Sequence, residues 1–291
     1  MPKKKHVLFI VPDGIGIKNY LYSKIISELK DTMKVTIWST LPKEAFGDVK
    51  RIHQIEFDYQ QITLLPENSI VRLYREATTY ARLISNSRLT KNPTILTNWR
   101  RPNYSIKIKV LFRCAEILGK YLAKKYTRIL NFEERAIAQI DKYKISQYIK
   151  ALKTIEPSSI FITHQRVAGL MPVCIAAKEL GIKSSTAIFS WDNLPKARLA
   201  VKTDFYLVWS EWMQNEMKSY YPEISESSIK LVGTPQFEFY MEESRKISRE
   251  SFANQYGLDY TKKWVCFSGD DITTSPYDQL YLRDIVQSLS S

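Results

Sequence analysis

The alternation of apolar and polar positions predicts a strand, a turn, a helix and a second strand at the start of the chain. Residues 6–11 form a short apolar run that ends at a turn containing Pro12, Asp13, Gly14 and Gly16, as expected of a buried strand. Apolar side chains recur at helical spacing over residues 19–30, and residues 35–39 form a second strand-like run. This order predicts a parallel sheet with a right-handed crossover.

The middle of the chain is predicted to be mainly helical, and the alternating pattern then returns. Helices are predicted at residues 68–85, 107–130 and 133–153, after a weaker strand at 52–57. Further strands are predicted at residues 159–163, 184–189, 205–208 and 229–232, with helices at 170–180 and 210–220. The pattern predicts an α/β protein with a Rossmann-like parallel sheet and helices on both faces.

The pattern changes after Pro235 and indicates a domain boundary. Residues 238–260 are charged and lack strand periodicity, and a new strand is predicted at 264–267, followed by a helix near Tyr277. We therefore expect a first Rossmann-like domain over residues 1–237, a linker over 238–260 and an incomplete second Rossmann-like domain over 261–291. Residues after about Tyr240 should be poorly packed, because an isolated strand leaves its edges unpaired.

The composition argues against a disulfide-rich, a zinc-binding and a membrane-spanning protein. The 291 residues are 44% hydrophobic, with three widely spaced cysteines and three histidines, so neither a disulfide framework nor a zinc site is expected. No apolar run approaches the length of about 20 residues that a membrane span needs. We expect a cytoplasmic protein that uses no metal and no cofactor.

The positive charge is concentrated in one part of the chain. The net charge is +13, and the stretch from Arg72 to Arg128 holds fourteen Lys and Arg but only two Glu. On the helix predicted at 107–130, helical spacing places cations on the side opposite an apolar face made by Leu111, Cys114, Leu118, Tyr121 and Leu122. The predicted cationic surface comprises Lys109, Arg113, Lys120, Lys124 and Arg128.

An anionic partner is expected for this cationic surface. Anionic lipid headgroups are the favoured partner, and a solvated helix face without a partner is the alternative. RNA-binding proteins use similar residues, but no RNA- or DNA-binding motif is visible, so nucleic acid is not expected.

The candidate site residues follow the ends of predicted strands, where ligands bind in open α/β sheets. Gly14 and Gly16 would allow close approach of an anion at a helix N-terminus, and Asp13 is a candidate general base. The alternative is a turn that serves only the path of the chain.

Two later loops carry polar and aromatic residues. His164 is the one histidine considered for acid–base chemistry, beside Gln165 and Arg166, although a lone histidine is often structural. The next loop supplies groups that could stack on or hydrogen-bond a sugar, although Trp191 could be a core residue and Asp-Asn is common in turns. Its candidate residues are Trp191, Asp192, Asn193 and Lys196. Gly233 and Pro235 are predicted to form a hinge.

Taken in order, four segments resemble bacterial glycosyltransferase-like proteins of the GT-B fold. They are residues 9–22 (FIVPDGIGIKNYLY), 189–194 (FSWDNL), 206–213 (YLVWSEWM) and 232–236 (VGTPQ). The group is related to surface-polysaccharide and teichoic-acid-type transferases and to UDP-GlcNAc 2-epimerases. The resemblance implies two Rossmann-like domains facing a cleft, the first binding the acceptor and the second the nucleotide-sugar donor.

The resemblance also assigns residues and a function. Asp13, Gly14 and Gly16 match the acceptor-side loop, residues 191–193 match a cleft loop, and Ser268 and Gly269 match a donor phosphate loop. The implied reaction transfers a sugar from a nucleotide-sugar donor to a lipid-linked or polysaccharide acceptor, without a metal, at the inner face of the plasma membrane. Since most of the donor domain is not in the sequence, the chain alone is expected to be inactive. The alternatives are a UDP-sugar 2-epimerase-like enzyme and a non-catalytic module that binds membranes or glycans.

Overall fold

A computed structural model describes residues 4–102, 105–270, 272 and 274–290. The chain forms two compact units, Met1–Phe239 and Tyr240–Ser291. The division lies two residues after the end predicted for the first domain.

The first unit is built on a parallel sheet, which confirms the predicted α/β class and Rossmann-like sheet. In the described residues the sheet has seven strands in the order β3-β2-β1-β4-β5-β6-β7, and every neighbouring pair is parallel. The strands are β1 (Lys5–Val11), β2 (Met33–Ser39), β3 (Asp58–Gln61), β4 (Ser159–Ile162), β5 (Lys183–Ala187), β6 (Phe205–Val208) and β7 (Ile229–Leu231).

Helices connect the strands and form a separate group between β3 and β4. In the first unit they are α1 (Gly14–Gly16), α2 (Ile25–Leu29), α3 (Gly47–His53), α4 (Ser69–Thr90), α5 (Ile106–Leu122), α6 (Tyr126–Ala138), α7 (Lys142–Ile155), α8 (Met171–Glu179) and α9 (Glu211–Tyr220). A π-helical turn, Ile17–Leu21, follows α1 directly. The second unit contains α10 (Arg249–Tyr256) and α11 (Asp278–Ser290).

Helices cover both faces of the central strand β1, which explains its continuous apolar sequence. Successive side chains of a strand point to opposite faces. Leu8 and Ile10 therefore pack in the core cluster that includes α7 and α8 residues, while Phe9 packs in the cluster that includes Leu21 and Ile26.

Four predicted elements of the first unit differ from the structure. The strand predicted at residues 52–57 is wrong, because α3 extends to His53 and the edge strand begins at Asp58. This edge strand reads DYQQ and is largely exposed, so it carries no apolar pattern. The helices predicted at 19–30, 133–153 and 107–130 are each interrupted, the second between Ala138 and Lys142 and the third between Leu122 and Tyr126. That interruption lets Leu122 and Ile129 both pack in the cluster beside α4.

The second unit lacks the predicted strand. Residues 264–267 are described and irregular, because a single strand has no neighbour to satisfy its backbone groups, which then bond to water. The expected poor packing is confirmed, since Ala253 is the one buried residue among those described from Tyr240 onward.

Candidate functional site

The strand order creates a crevice at one point of the sheet. On one side of β1 the sheet consists of β2 and then β3. On the other side it consists of β4, β5, β6 and β7, in that order. Such a reversal of strand order opens a crevice at the carboxyl ends of the two central strands. Asp13 follows β1 and His164 follows β4, so the sheet itself brings two of the predicted site residues to this switch point.

Asp13 and His164 are directly bonded across the crevice. The Oδ2 atom of Asp13 lies 2.5 Å from Nδ1 of His164. Its Oδ1 atom accepts the backbone N–H groups of Ile15, at 3.1 Å, and Gly16, at 3.3 Å, and so caps α1. Burial favours the protonated carboxyl, but the hydrogen bond to His164 and the backbone donors outweigh it and lower the pKa of Asp13. Asp13 is therefore an ionised, fixed acceptor.

The bond to Asp13 defines what the imidazole can do. A carboxylate can only accept, so Nδ1 of His164 carries a proton, which leaves Nε2 as the nitrogen that can accept one. Nε2 is buried and has no hydrogen-bond partner within the part of the chain that the structure describes. The ring packs edge to face on Phe189, with 4.6 Å between centroids. We call the pair of Asp13 and His164 the dyad. It holds a proton acceptor, Nε2 of His164, in a fixed orientation.

The two glycines beside Asp13 have different roles. A Cβ atom at Gly16 would overlap Thr163 Oγ1 and lie 2.9 Å from a methyl of Val11, whereas a Cβ at Gly14 would meet nothing within 4 Å. Gly16 therefore lets α1 approach the ends of β1 and β4 closely, while Gly14 leaves open space in front of the crevice.

Gly16→Ala is expected to lower the free energy of unfolding by about 1–3 kcal/mol, because a methyl group is forced into a packed contact. The matched variant Gly14→Ala should change it by less than about 0.5 kcal/mol. Urea denaturation of both variants measures the difference. Equal stabilities of the two variants would contradict the packing role of Gly16.

A hydrogen-bonded chain links the loops that follow β4 and β5. The side-chain amide of Gln165 donates to Asn193 Oδ1 at 2.8 Å, and Asn193 donates to Asp192 at 3.1 Å. Asp192 also accepts from Ser190, at 2.7 Å, and from Lys196. Burial raises the pKa of Asp192, but these donors outweigh it and hold that pKa below its usual value. Four predicted site residues thus form one network.

The remaining residues of these loops differ in exposure and strain. Trp191 is 70% exposed, so its interpretation as a core residue is wrong, and its ring is free to stack on a ligand. Ala197 has a φ of +53°, a conformation that costs a non-glycine residue energy and concentrates at functional sites. The turn at Ala197 separates Lys196, which bonds Asp192, from Arg198, which contacts Glu76 at 3.3 Å.

The predicted hinge and donor loop lie elsewhere. Gly233 has a φ of +73°, where glycine is favoured, and Pro235 begins a 3-10 helix. Together they line an open pocket at the ends of β4, β5 and β6, with about 960 Å³ of empty space counted out to the solvent. Ser268 and Gly269 lie in the irregular segment of the second unit. Their roles as hinge and donor phosphate loop stay predictions.

The outer side of α5 differs from the predicted arrangement. Lys109, Arg113, Lys120 and Lys124 are exposed as expected, while Arg128 lies on α6 with its guanidinium over the Tyr121 ring. The predicted apolar face is partly wrong, because Cys114 and Tyr121 are exposed. The buried face is made by Phe112, Ala115, Glu116, Gly119 and Leu122.

Close packing on α4 explains this rotation. A Cβ at Gly119 would lie 2.8 Å from the Ala77 carbonyl oxygen, so the face that carries Ala115 and Gly119 packs on α4. The result is an exposed stripe, formed by Ile106 (79% exposed), Val110, Ile117 (73% exposed) and Tyr121, among the lysines and arginines. Alanine at position 115 and glycine at position 119 were the sequence signal for the face of α5 that packs on α4.

Some cations of the basic segment are internal and do not belong to the surface. Arg82 is 3% exposed and bonds Glu133 at 2.6 and 2.9 Å, Glu223 at 2.6 Å and the hydroxyl of Tyr126 at 2.6 Å. Sequence counting could not separate such buried ion pairs from surface charge.

No family model matches the chain, and no curated protein matches its sequence. Among the described residues, no helix has the length and hydropathy to cross a membrane, and no group of three or more His, Cys, Asp or Glu is placed to hold a metal ion.

Proposed function

We propose that the first unit is the acceptor-binding part of a glycosyltransferase in which the dyad activates the acceptor hydroxyl. The observation that carries this proposal is the buried His164 Nε2 lone pair, oriented by Asp13 at the switch point of the sheet. Acceptor hydroxyl groups need a base for attack, and a carboxylate-oriented imidazole is suited to that role.

In the proposed step, His164 Nε2 takes the proton of the acceptor hydroxyl while the acceptor oxygen bonds to the anomeric carbon of the donor sugar. The bond between that carbon and the nucleotide diphosphate breaks, and its electron pair leaves with the phosphate oxygen. The imidazolium that forms is stabilised by the Asp13 carboxylate on Nδ1. Asp13 is thus the positioning residue and His164 the base.

The second loop network supports acceptor binding beside the dyad. Gln165 follows His164 directly and is fixed by Asn193, and the exposed ring of Trp191 offers a face for a sugar. Lys196 holds Asp192 in place. We propose that these loops orient the acceptor, which is lipid-linked or a polysaccharide.

The test is transfer of radiolabelled sugar from a panel of nucleotide sugars into the lipid and polysaccharide fractions of membranes from the source organism. Deleting the gene should remove incorporation from one donor, and returning the gene should restore it. Incorporation that is unchanged for every donor after deletion would overturn the proposal.

We further propose that this protein attaches to the anionic inner face of the plasma membrane through α5. The exposed stripe supports this, because Ile106 and Ile117 stand out from the surface among exposed lysines. Apolar side chains flanked by cations are typical of helices that lie in the membrane interface. A solvated helix face would carry the cations without the stripe.

Liposome flotation measures this attachment. Vesicles with anionic phosphatidylserine should carry the protein, and reversing Lys109, Arg113, Lys120 and Lys124 to Glu should reduce the floated fraction at least about tenfold, since each cation near the surface contributes about 1 kcal/mol. Ile117→Ser should also reduce it. The matched control reverses four exposed lysines on other elements, Lys43, Lys150, Lys153 and Lys178. An equal loss in the control would overturn attachment through α5.

A further inference from the structure

A second cleft, here the lateral cleft, lies between α4, α6 and the loops that follow β4 and β5. Its empty space, counted out to the solvent at its open mouth, is about 1040 Å³. Its apolar lining includes Val71, Ile137, Ile140, Met171 and Leu199. The dyad residues do not line it.

Several cations also line the lateral cleft, and nearly all have an internal partner. Arg75 forms two 2.8 Å bonds to Glu67, and Lys144 donates to a backbone carbonyl. The other pairs are Arg82 with Glu133 and Glu223, Lys202 with Glu133, and Arg198 with Glu76. Apart from Arg198, these groups stabilise the walls and are not available as a strong anion site.

Arg166 is the exception among the described lining residues. It is half-buried and has no hydrogen bond or ion pair within the described part of the chain. Burial and the charge of Arg198 lower the pKa of Arg166, the sign of a cation that lacks compensation. Asp192 is the nearby carboxylate, but its oxygens already accept from Ser190, Asn193 and Lys196.

Arg198 adds free donors at the same place. Its contacts to Glu76 are long, 3.3 and 3.5 Å, and Glu76 also bonds Arg75 at 2.8 Å. Two guanidinium groups that repel each other therefore line one cleft, and the carboxylates near them, Asp192 and Glu76, are each shared with another cation. An anion between them would gain charge-assisted, forked hydrogen bonds.

We propose that the lateral cleft binds a small amphipathic anion, with one phosphate or carboxylate head on Arg166 and Arg198 and an apolar body against Val71, Ile137 and Met171. The head is a single anionic group because one guanidinium is left without a partner. The body is apolar because those walls are. This site is separate from the dyad and does not rest on the proposed transferase activity.

Calorimetric titration of the full chain with octyl phosphate, below its micelle concentration, tests the site. Octyl phosphate should bind with a stoichiometry of one. It should bind more tightly than octanol, which has only the apolar body, and more tightly than inorganic phosphate, which has only the anionic head. Titration with octanoate then distinguishes a carboxylate head from a phosphate head, because the tighter of the two ligands identifies the natural group.

Arg166→Gln should weaken octyl phosphate binding at least about tenfold, since a charge-assisted hydrogen bond is lost, and it should leave folding intact because Arg166 has no internal partner. Arg51→Gln, which removes an exposed charge from α3, should leave the affinity unchanged. Ala168→Trp, which fills the cleft from its lining, should abolish binding even if Arg166→Gln fails to fold. Equal affinity for octanol, or binding that survives both cleft variants, would overturn the proposal.

Discussion

Replacing His164 with glutamine is expected to lower sugar incorporation by about 10²–10⁴-fold, the usual contribution of a general base. Glutamine can still donate a hydrogen bond to Asp13 but has no lone pair of comparable basicity at the position of Nε2. The variant therefore removes the base while keeping a partner for the carboxylate. Incorporation of label by membranes from a strain that carries the variant gene measures the effect.

Asp13→Asn is the matched variant for the positioning residue. Asparagine caps a helix N-terminus about as well as aspartate, so α1 should remain in place. The amide cannot hold the imidazole as a carboxylate does or stabilise the imidazolium, so incorporation should fall by a smaller factor than with His164→Gln. Thermal unfolding of both variants should stay close to that of the wild type. Full incorporation with His164→Gln would exclude the dyad as the base.

Replacing Arg82 with leucine is expected to lower the free energy of unfolding by about 3–5 kcal/mol, the usual cost of breaking a buried ion pair. Arg82 joins α4 to Glu133 on α6 and to Glu223 before β7. Removing one partner of a buried pair leaves the other charge uncompensated. Burial raises the pKa of Glu133, but the charge of Arg82 outweighs this and holds it below the usual value.

Arg51→Leu is the control for this measurement. Arg51 pairs with Asp48 on the surface of α3, where its side chain is 79% exposed. Surface pairs contribute about 0–1 kcal/mol, so Arg51→Leu should change the urea midpoint little. If Arg82→Leu lowered the free energy of unfolding no more than Arg51→Leu, the buried ion pairs of Arg82 would contribute no more to stability than a surface pair.

The sequence was sufficient for the strands with continuous apolar runs and for the loops that follow them. It therefore placed Asp13 and His164 correctly at strand ends. It could not show that they bond, because 151 residues separate them and only the neighbouring positions of β1 and β4 bring them together. The order of strands is a property of the whole fold, not of either segment.

The errors have a shared cause, which is that tertiary contacts overrode the local pattern. The edge strand at Asp58–Gln61 is polar because it has one neighbour and an exposed side. The rotation of α5 follows from the room that Gly119 leaves for Ala77, although larger apolar residues on the same helix predict another face. The cleft beside Arg166 could not be foreseen, since its walls come from four distant parts of the chain.

The close contact at Gly119 has a mechanical consequence. No side chain separates the two backbones at this point. We therefore expect α4 and α5 not to slide past each other and to move as one rigid body. Next to Gly119, Ile117 of α5 is exposed, and α4 carries Val71 and Arg75 into the wall of the lateral cleft. If the protein attaches to a bilayer through α5 as proposed, a displacement of α5 would also displace α4 and change the mouth of that cleft. Membrane attachment would then be coupled to ligand entry.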